Sequence, residues 1–325
     1  MAYLFASNNV AHWSGAVTTG TTASYYDSTR VPYYLEMTDD SGGVSLKSLH
    51  PATSTTTTWY HFRYYASSTS GPAEDGYLCS IKDGNGKYLA RVELNNGALT
   101  MAVSGNGVTF TNGTYSGTVG TSLTEFDIKV SVTATDVDAE LYINQVLHVS
   151  GNMNALNSGS LGVARTIDFD LVDATSSIQK HRVSEFLVSE TDTRNARVNL
   201  LQGTGAGNHT DWTGTVAELF DSDSSTGMTS DTDGNRESLT IDTYTGGTTI
   251  DAVLGVAYVA RGAAGPANGQ VFVRKSSTDY DGSSQSVELT SPGFVVEEWS
   301  VDPSDSGSWT SSDLSGLEVG FESLT

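Results

Sequence analysis

Residues 123–134 read "LTEFDIKVSVTA", and the alternation in this segment decides the fold class. One face of the segment is apolar and consists of Phe126, Ile128, Val130 and Val132. The other face is polar and consists of Glu125, Asp127, Lys129 and Ser131. Because successive side chains of a strand point to opposite faces, this pattern predicts an antiparallel strand with one buried and one solvated face.

Other segments repeat the pattern, and turn residues separate them. Residues 77–94, "YLCSIKDGNGKYLARVEL", predict a hairpin around the turn at 83–86. Residues 57–67, 137–149 and 181–190 predict further strands. No segment has a convincing helical pattern of three turns. The predicted fold class is therefore all-β, with antiparallel, jelly-roll-like β-sandwiches.

A segment rich in glycine and turn residues, at about 190–210, predicts a domain boundary. After it, a new set of strand patterns begins, at 238–244, 249–262, 269–277, 292–301 and 315–323. We therefore predict two β-sandwich domains in the 325-residue chain, 1–192 and 193–325.

Composition excludes several classes of function. The 38 acidic and 16 basic residues give a formal net charge of −22, which repels nucleic acid and anionic membranes. The single cysteine, Cys79, excludes a disulfide framework and is expected to be a buried, inert thiol. The first residues, "MAYLFASNNVAHWSG", lack the pattern of a signal peptide, so we expect synthesis in a cytoplasm. No apolar stretch approaches the roughly 20 residues of a membrane span.

Four segments of the predicted first domain resemble the laminin-G-like, concanavalin-type lectin sandwich. They are "WYHFRYY" (59–65), "IKDGNGKYLARV" (81–92), "FDIKVSV" (126–132) and "ELYINQVLHVSG" (140–151). Many relatives have a glycine after the asparagine of the last segment. Here Gln145 takes that place, which predicts a different hairpin turn.

The rest of the chain resembles structural proteins of tailed bacteriophages. The segments on which this resemblance rests are "VSEFLVSETDTRNARV" (183–198), "TDWTGTVAELFDSD" (210–223) and "WSVDPSDSGSWTSSDLSGLEVGF" (299–321). The last departs from the commonest form by one additional residue between Pro303 and Gly307. The resemblance implies a virion component made in the host cytoplasm, in contact with other virion proteins.

Three functions are open, of which the first two belong to that class and the third to another. The first is a tail fibre or spike, whose lectin-like domain contacts host surface polysaccharide. The second is a capsid-decorating or head-fibre protein without a receptor. The third is a glycan-degrading enzyme. Strand edges of a sandwich and outward aromatic side chains are suited to contacts between subunits. We therefore expect a homo-oligomer, with a trimer favoured.

The enzyme hypothesis depends on paired carboxylates. Glu125 and Asp127 share a strand face, roughly 7 Å apart at the rise of a strand. Glycosidases of this fold carry E-x-D-x-x-E, but the sixth position here is Val130. Lys129 is the expected partner of Asp127 on a solvated face. The alternating acids Asp136, Asp138 and Glu140 are likewise expected to form an exposed face. We therefore predict no catalytic residues and no enzyme.

Metal-binding patterns are also incomplete. Residues 221–232 fail the EF-hand spacing, because glycine falls at the seventh position and threonine at the twelfth. An irregular calcium loop at Asp231, Asp233 and Asn235 is the remaining alternative. The histidines, at positions 12, 50, 61, 148, 181 and 209, form no zinc motif. We predict no metal site and no cofactor, and the ligand-binding residues stay unknown.

Aromatic residues allow two interpretations. Tyr25/Tyr26, Tyr33/Tyr34 and Tyr64/Tyr65 are adjacent pairs, in which one ring is expected inside and the other outside. An outward ring suits a sugar or a neighbouring subunit. Trp299 and Trp309 flank a polar loop, and we predict that both are core residues of the second domain, with an indole N–H bonded to a loop carbonyl.

Overall fold

The computed structural model describes residues 2–38, 43–66, 76–95, 98–112, 122–154, 161–169, 180–247, 249–289 and 291–325. The protein is all-β and antiparallel, as the alternation predicts. Within the described ranges, the helices are short 3-10 segments at Val10–His12, Ala23–Tyr25 and Val216–Leu219. None of these could cross a membrane, and no longer apolar helix occurs in the described residues.

Two compact units divide the chain, Leu4–Val198 and Asn199–Thr325. The division lies after Val198, whereas the sequence placed it after residue 192. The difference has a physical cause, because the intervening residues bond to the first unit. Thr193 donates a hydrogen bond to Asp127 at 2.7 Å, and Arg197 forms an ion pair with Glu185 at 2.8 Å.

The first unit is built from two antiparallel sheets. Its strands are β1 (Tyr3–Ser7), β2 (Trp13–Ser14), β3 (Val17–Gly20), β4 (Tyr34–Thr38), β5 (Val44–Leu46), β6 (Thr57–Ala66), β7 (Gly76–Asp83), β8 (Tyr88–Asn95), β9 (Ala98–Ser104), β10 (Phe110–Asn112), β11 (Thr124–Val132), β12 (Asp136–Ile143), β13 (Val146–Asn154), β14 (Ala164–Phe169) and β15 (Lys180–Ser189). The eight-stranded sheet has the order β13-β12-β11-β6-β15-β4-β3, with β1 also paired to β15. The seven-stranded sheet has the order β10-β9-β8-β7-β14-β5-β2.

The apolar face of β11 lies in the core between these sheets. Phe126 is the register partner of Phe62 on β6, and their rings stack with centroids 5.5 Å apart. Phe62 also meets Phe169 of the seven-stranded sheet edge-on at 5.3 Å. The predicted apolar face is therefore confirmed. The polar face of β11 consequently points to the outer side of the eight-stranded sheet.

The turns of two hairpins, β7–β8 and β12–β13, are made by polar residues. In the β7–β8 turn, the Asp83 carboxylate accepts hydrogen bonds from the backbone N–H groups of Asn85 and Lys87, each at 2.9 Å. In the β12–β13 turn, Asn144 and Gln145 have φ of 47° and 71°. A type I′ hairpin needs positive φ at both positions. The altered turn expected from the missing glycine is therefore wrong, and Gln145 adopts the left-handed conformation itself.

The second unit contains a larger and a smaller sheet. Its strands are β16 (Gly203–Thr210), β17 (Arg236–Ile241), β18 (Val253–Val259), β19 (Asn268–Lys275), β20 (Thr278–Asp281), β21 (Gln285–Ser286), β22 (Gly293–Trp299) and β23 (Glu318–Leu324). The larger sheet has the order β16-β17-β23-β19-β20, with β21 also paired to β19. Strands β18 and β22 form the smaller sheet.

The core of the second unit lies between these two sheets. Its buried cluster contains Val271, Val273, Val295, Trp299, Trp309, Leu314 and Leu317. The sheets approach closely at Gly255 of β18, where a Cβ atom would lie 2.5 Å from the Val271 side chain. A glycine is needed there because any side chain would push the sheets apart.

Candidate functional site

A cluster of polar side chains occupies the outer side of the eight-stranded sheet. Asp127 on β11 is the register partner of His61 on β6, and Glu125 is the partner of Arg63. Partners in an antiparallel pair project from the same face, so all four side chains meet there. We call His61, Glu125 and Asp127 the carboxylate–histidine cluster.

The cluster is buried, although it lies on the outer side of its sheet. His61 and Asp127 have no exposed surface, and Glu125 is 8% exposed. The His61 Nδ1 atom lies 2.8 Å from Asp127 Oδ1, which also accepts a 2.7 Å hydrogen bond from the Thr193 hydroxyl. Since an ionised carboxylate can only accept, His61 donates the hydrogen bond from Nδ1.

Several polar atoms in and beside this cluster lack a hydrogen-bond partner. Four of the ten such buried atoms in the described residues are His61 Nε2, Arg63 Nε, Glu125 Oε1 and Asp127 Oδ2. A buried polar atom without a partner costs about 1–3 kcal/mol, and more when the group is charged. The concentration of such atoms at one place marks a candidate ligand site.

The electrostatics of the cluster reflect its burial. Burial raises the pKa of Glu125, and the nearby charge of Asp127 raises it further. His61, Arg63 and Arg197 act in the opposite direction on the pKa of Glu125. The ionised form of Glu125 is therefore destabilised by its surroundings, as it is for many carboxylates at ligand sites.

Glu185, whose backbone conformation is strained, holds the segment that covers the cluster through its carboxylate. Glu185 is fully buried and has a φ of 54°, at an irregularity of β15 between Ser184 and Leu187. Its two oxygens accept from Arg197 Nε and Nη2 at 2.8 and 2.9 Å. Hydrogen bonding to Glu185 raises the pKa of Arg197. Arg197 and Thr193 together hold residues 193–198 against the sheet.

A group of aromatic and charged side chains lies beside the cluster on the same face. We call Trp59, Lys129, Glu140, Tyr142 and Arg194 the aromatic patch. The Arg194 guanidinium lies 4.6 Å from the ring centroid of Tyr142, and the Tyr142 hydroxyl donates to Glu140 at 2.5 Å. Burial and this hydrogen bond raise the pKa of Tyr142 to about 12, so the phenol keeps its proton. Tyr142 and Arg194 are both half-buried, and 36% of the Arg194 side chain is exposed.

One expectation for this face is wrong. Lys129 pairs with Glu140 at 3.2 Å and not with Asp127. Lys129 and Glu140 are direct cross-strand partners, about 5 Å apart at Cβ, which is closer than two positions along one strand. Asp127 is consequently buried with His61 instead of being solvated. Along β12, Asp136, Asp138 and Glu140 are half-buried, so their face is less exposed than expected.

The other candidates from the sequence do not converge on a site. Asp233 accepts a 2.7 Å hydrogen bond from the backbone N–H of Thr325, and Asn235 donates to the carbonyl of Asp211 at 3.3 Å. In the described parts of the chain, the one group of three or more acidic, histidine or cysteine side chains close enough for a metal is His61, Glu125 and Asp127. Cys79 is fully buried, as expected.

The outward tyrosines pack within the first unit. Tyr26, Tyr34 and Tyr64 are buried, whereas Tyr25, Tyr33 and Tyr65 are half-buried, so each pair divides as predicted. The rings of Tyr25 and Tyr65 lie 4.3 Å apart, and the Arg182 guanidinium lies 4.1 Å from Tyr25. These rings stabilise their own sheet.

His61, Thr193 and Arg197 are the site residues that the sequence did not indicate. Their partners are 66, 66 and 12 positions away. The available signal was the pairing of "WYHFRYY" with "FDIKVSV". Register between these two strands brings His61 to Asp127.

The sequence matches no known protein-family model and no curated protein. Similar solved structures include botulinum neurotoxin type C, from a study of cell entry through two ganglioside molecules, with a TM-score of 0.41 and 12% identity over 62% of this chain and 49% of that one. The binding domain of botulinum neurotoxin DC in complex with rat synaptotagmin II has a TM-score of 0.40 and 9% identity over 83% and 67%. Cellulose-induced protein Cip1 has a TM-score of 0.39 and 10% identity over 57% and 88%. This chain spans about half the length of the first of these structures.

Proposed function

We propose that the chain is a structural protein of a bacteriophage virion, of the tail fibre or spike type, and that its first unit contacts host surface glycans. The order of the phage-like segments along the sequence supports the virion role. The aromatic patch is the observation that carries the glycan role. The apolar C–H face of a sugar packs on an aromatic ring, while its hydroxyls bond to charged groups.

The aromatic patch supplies both kinds of contact. Tyr142 offers a half-buried ring, and Arg194 and Glu140 offer a donor and an acceptor beside it. Hydrogen bonds from Tyr142 and Lys129 lower the pKa of Glu140 against the opposing effect of burial, so its carboxylate is ionised at neutral pH. The rings of Trp59 and Tyr142, with centroids 5.6 Å apart, give the patch a rigid base.

Burial of the carboxylate–histidine cluster favours binding over cleavage. A glycosidase needs two carboxyl groups that flank the bond to be broken. Asp127 lies beneath Thr193 with no exposed surface, so it does not reach a sugar on this face. For this reason the proposed function is not enzymatic.

Glycan binding is tested by Tyr142→Ala in the full chain, with a glycan array and host adsorption as readouts. The matched control is Tyr77→Ala, because Tyr77 is also a half-buried ring beneath an arginine, Arg91, at 4.1 Å. We expect Tyr142→Ala to lower glycan affinity at least tenfold, about 1.4 kcal/mol, and Tyr77→Ala to leave it unchanged. A silent array, together with unchanged adsorption after an antibody covers the first unit, would contradict glycan binding.

The second candidate function is capsid decoration without a receptor. Copy number per particle distinguishes the two, since a tail appendage is present in few copies and a shell protein in many. Quantitative mass spectrometry of purified particles would measure it. A high copy number, with no effect of Tyr142→Ala on adsorption, would favour decoration.

We further propose that the chain forms a homo-oligomer, with a trimer favoured. Strand β13 is an edge of the eight-stranded sheet, and its Val146 and Leu147 are 69% and 52% exposed. Exposed edges with apolar side chains are typical of surfaces that a partner covers. Native mass spectrometry of the full chain tests this, and a monomer both in solution and on the particle would contradict it.

A further inference from the structure

We propose that His61, Glu125 and Asp127 bind a divalent transition-metal ion, which anchors the segment 193–198 on the first unit. This inference goes beyond glycan binding and does not depend on it. The sequence alone, in contrast, predicts no metal site.

The spacing of the three side chains suits one ion. A ligand atom from each lies within 4.8 Å of the others. Two ligands at 2.0–2.2 Å from a zinc ion are at most about 4.4 Å apart. That limit applies to a linear arrangement. Around a tetrahedral ion the ligand atoms are about 3.4 Å apart, so the widest pair would contract by up to about 1.4 Å on binding.

The unpaired atoms provide the second line of evidence. His61 and Asp127 are fully buried, and His61 Nε2, Asp127 Oδ2 and Glu125 Oε1 have no partner. Asp127 Oδ2 and Glu125 Oε1 are carboxylate oxygens, which are metal ligands. His61 Nε2 lies on the far side of the ring from Asp127, so an ion shared with Asp127 would bind His61 at Nδ1. A cation bound there would satisfy the two carboxylate oxygens and reduce the cost of burying them.

The hydrogen bonds around the cluster connect it to the covering segment. Asp127 Oδ1 accepts from His61 Nδ1 and from the Thr193 hydroxyl, which fixes the ring orientation of His61. An ion that binds His61 and Asp127 together would take the place of the proton on Nδ1. Because Thr193 belongs to the covering segment, an ion in the cluster would couple that segment to the sheet.

The local charge leaves room for a divalent cation. Arg63 and Arg197 are the arginines that act on Glu125, while Arg197 is itself paired with Glu185 and Asp27. Four carboxylates, those of Asp27, Glu125, Asp127 and Glu185, face three arginines, because Arg30 also pairs with Asp27. A bound cation would offset the remaining negative charge.

The ligand set selects the kind of metal. One imidazole with two carboxylates favours Zn²⁺ and its first-row neighbours over Mg²⁺ or Ca²⁺, which prefer all-oxygen sites with more ligands. Access also favours an ion, since the cluster lies beneath Thr193 and has no surface for a larger ligand.

The test uses the full chain, stripped with a chelator and then titrated with Zn²⁺ against a chromophoric competitor. We expect one Zn²⁺ per chain and a higher unfolding temperature of the first unit, because a ligand that binds only the folded state stabilises it. Mg²⁺ at the same concentration is expected to have no effect.

Glu125→Gln is the decisive variant, because it keeps the side-chain shape and removes the charge. We expect it to weaken Zn²⁺ binding at least tenfold and to abolish the thermal shift. The control is Glu140→Gln, on the neighbouring strand, where the carboxylate pairs with Lys129 and lies outside the cluster. Absence of Zn²⁺ binding by the wild-type chain, or equal binding by Glu125→Gln and wild type, would overturn the proposal. Loss of glycan binding alone would not affect it.

Discussion

The indole nitrogen of Trp309 donates a 2.7 Å hydrogen bond to the backbone carbonyl of Trp299, across the polar loop that separates them. Trp309 is 2% and Trp299 is 8% exposed, and both belong to the core cluster of the second unit. The prediction that both rings are structural is confirmed. Neither ring is available as a platform for a sugar.

Trp309 should therefore control the stability of the second unit. Trp309→Ala is expected to cost about 3–5 kcal/mol, and Trp309→Phe about 1–3 kcal/mol, because the carbonyl of Trp299 loses its donor. Calorimetry of the full chain would show a lower transition for the second unit and an unchanged one for the first. Trp212→Phe is the control, since its indole bond to Asn235 is longer, at 3.2 Å, and half-buried. Two unchanged transitions in Trp309→Ala would refute this role.

Lys275 should stabilise the same loop from β19. Its ammonium group pairs with the buried carboxylate of Asp302 and, at 2.8 Å, with Asp313. Lys275→Met leaves the Asp302 charge buried without a cation, and we expect a loss of about 3–5 kcal/mol. Urea unfolding of the second unit would measure it.

Lys129→Met is the matched control for Lys275→Met. The Lys129–Glu140 pair is 31% and 28% exposed, and half-exposed pairs contribute at most about 1 kcal/mol. Equal losses in the two variants would show that burial of Asp302 is not what makes Lys275 important.

Gln145→Gly should stabilise the first unit. Gln145 has a φ of 71° in the β12–β13 turn, where a residue with a Cβ atom pays about 1 kcal/mol that glycine does not. We expect a gain of about 0.5–1 kcal/mol in thermal or urea unfolding, since glycine also gains freedom in the unfolded chain. Ala134→Gly, at the preceding turn without a positive φ, should be destabilising. A loss of stability in Gln145→Gly would contradict the strain.

The fold was predictable because its signal is local. Alternation in 123–134 places Phe126 and Ile128 in the core without knowledge of any partner strand. The loop between Trp299 and Trp309 was predictable for the same reason. Its Asp302 and Asp305 side chains accept hydrogen bonds from backbone N–H groups at most two positions away. Such contacts depend on spacing along the chain.

The candidate site was not predictable, because its contacts connect distant positions. His61 reaches Asp127 only through the register of β6 and β11, and Thr193 only through the fold of the covering segment. The face of β11 looked solvated, since nothing in 123–134 indicates that residues near 193 cover Asp127. The division into compact units after Val198 depends on the same kind of contact, because Thr193 and Arg197 bond to distant residues of the first unit.

The first unit should lose stability in mildly acidic solution before the second unit does. His50 and His181 are fully or almost fully buried, and burial lowers the pKa of each to about 3. The neighbouring charges of Arg165 and Arg182 act in the same direction on His50 and His181 respectively. Neither imidazole can be charged in the folded state near neutral pH.

The direction of the pH effect follows from linkage. In the unfolded chain both histidines titrate near pH 6.5, so below that value the unfolded state binds protons that the folded state does not. The contribution of these two histidines to the stability of the first unit is therefore fully present above pH 6.5, and it is lost as the pH falls towards 3. Each histidine contributes a slope of about 1.4 kcal/mol per pH unit in this window.

The second unit provides an internal control in the same calorimetric scans. Its depressed carboxyl pKa values, at Asp279, Asp302 and Asp313, cause losses only below about pH 4, where unfolded carboxyl groups take up protons. Between pH 7 and 5, the first transition should therefore move to lower temperature while the second moves little. His50→Gln should reduce the pH dependence of the free energy of unfolding of the first unit by the contribution of one histidine, about 1.4 kcal/mol per pH unit. This holds even if the substitution lowers stability at pH 7. A slope that is the same in wild type and in His50→Gln would show that a neutral, buried His50 does not cause the acid sensitivity.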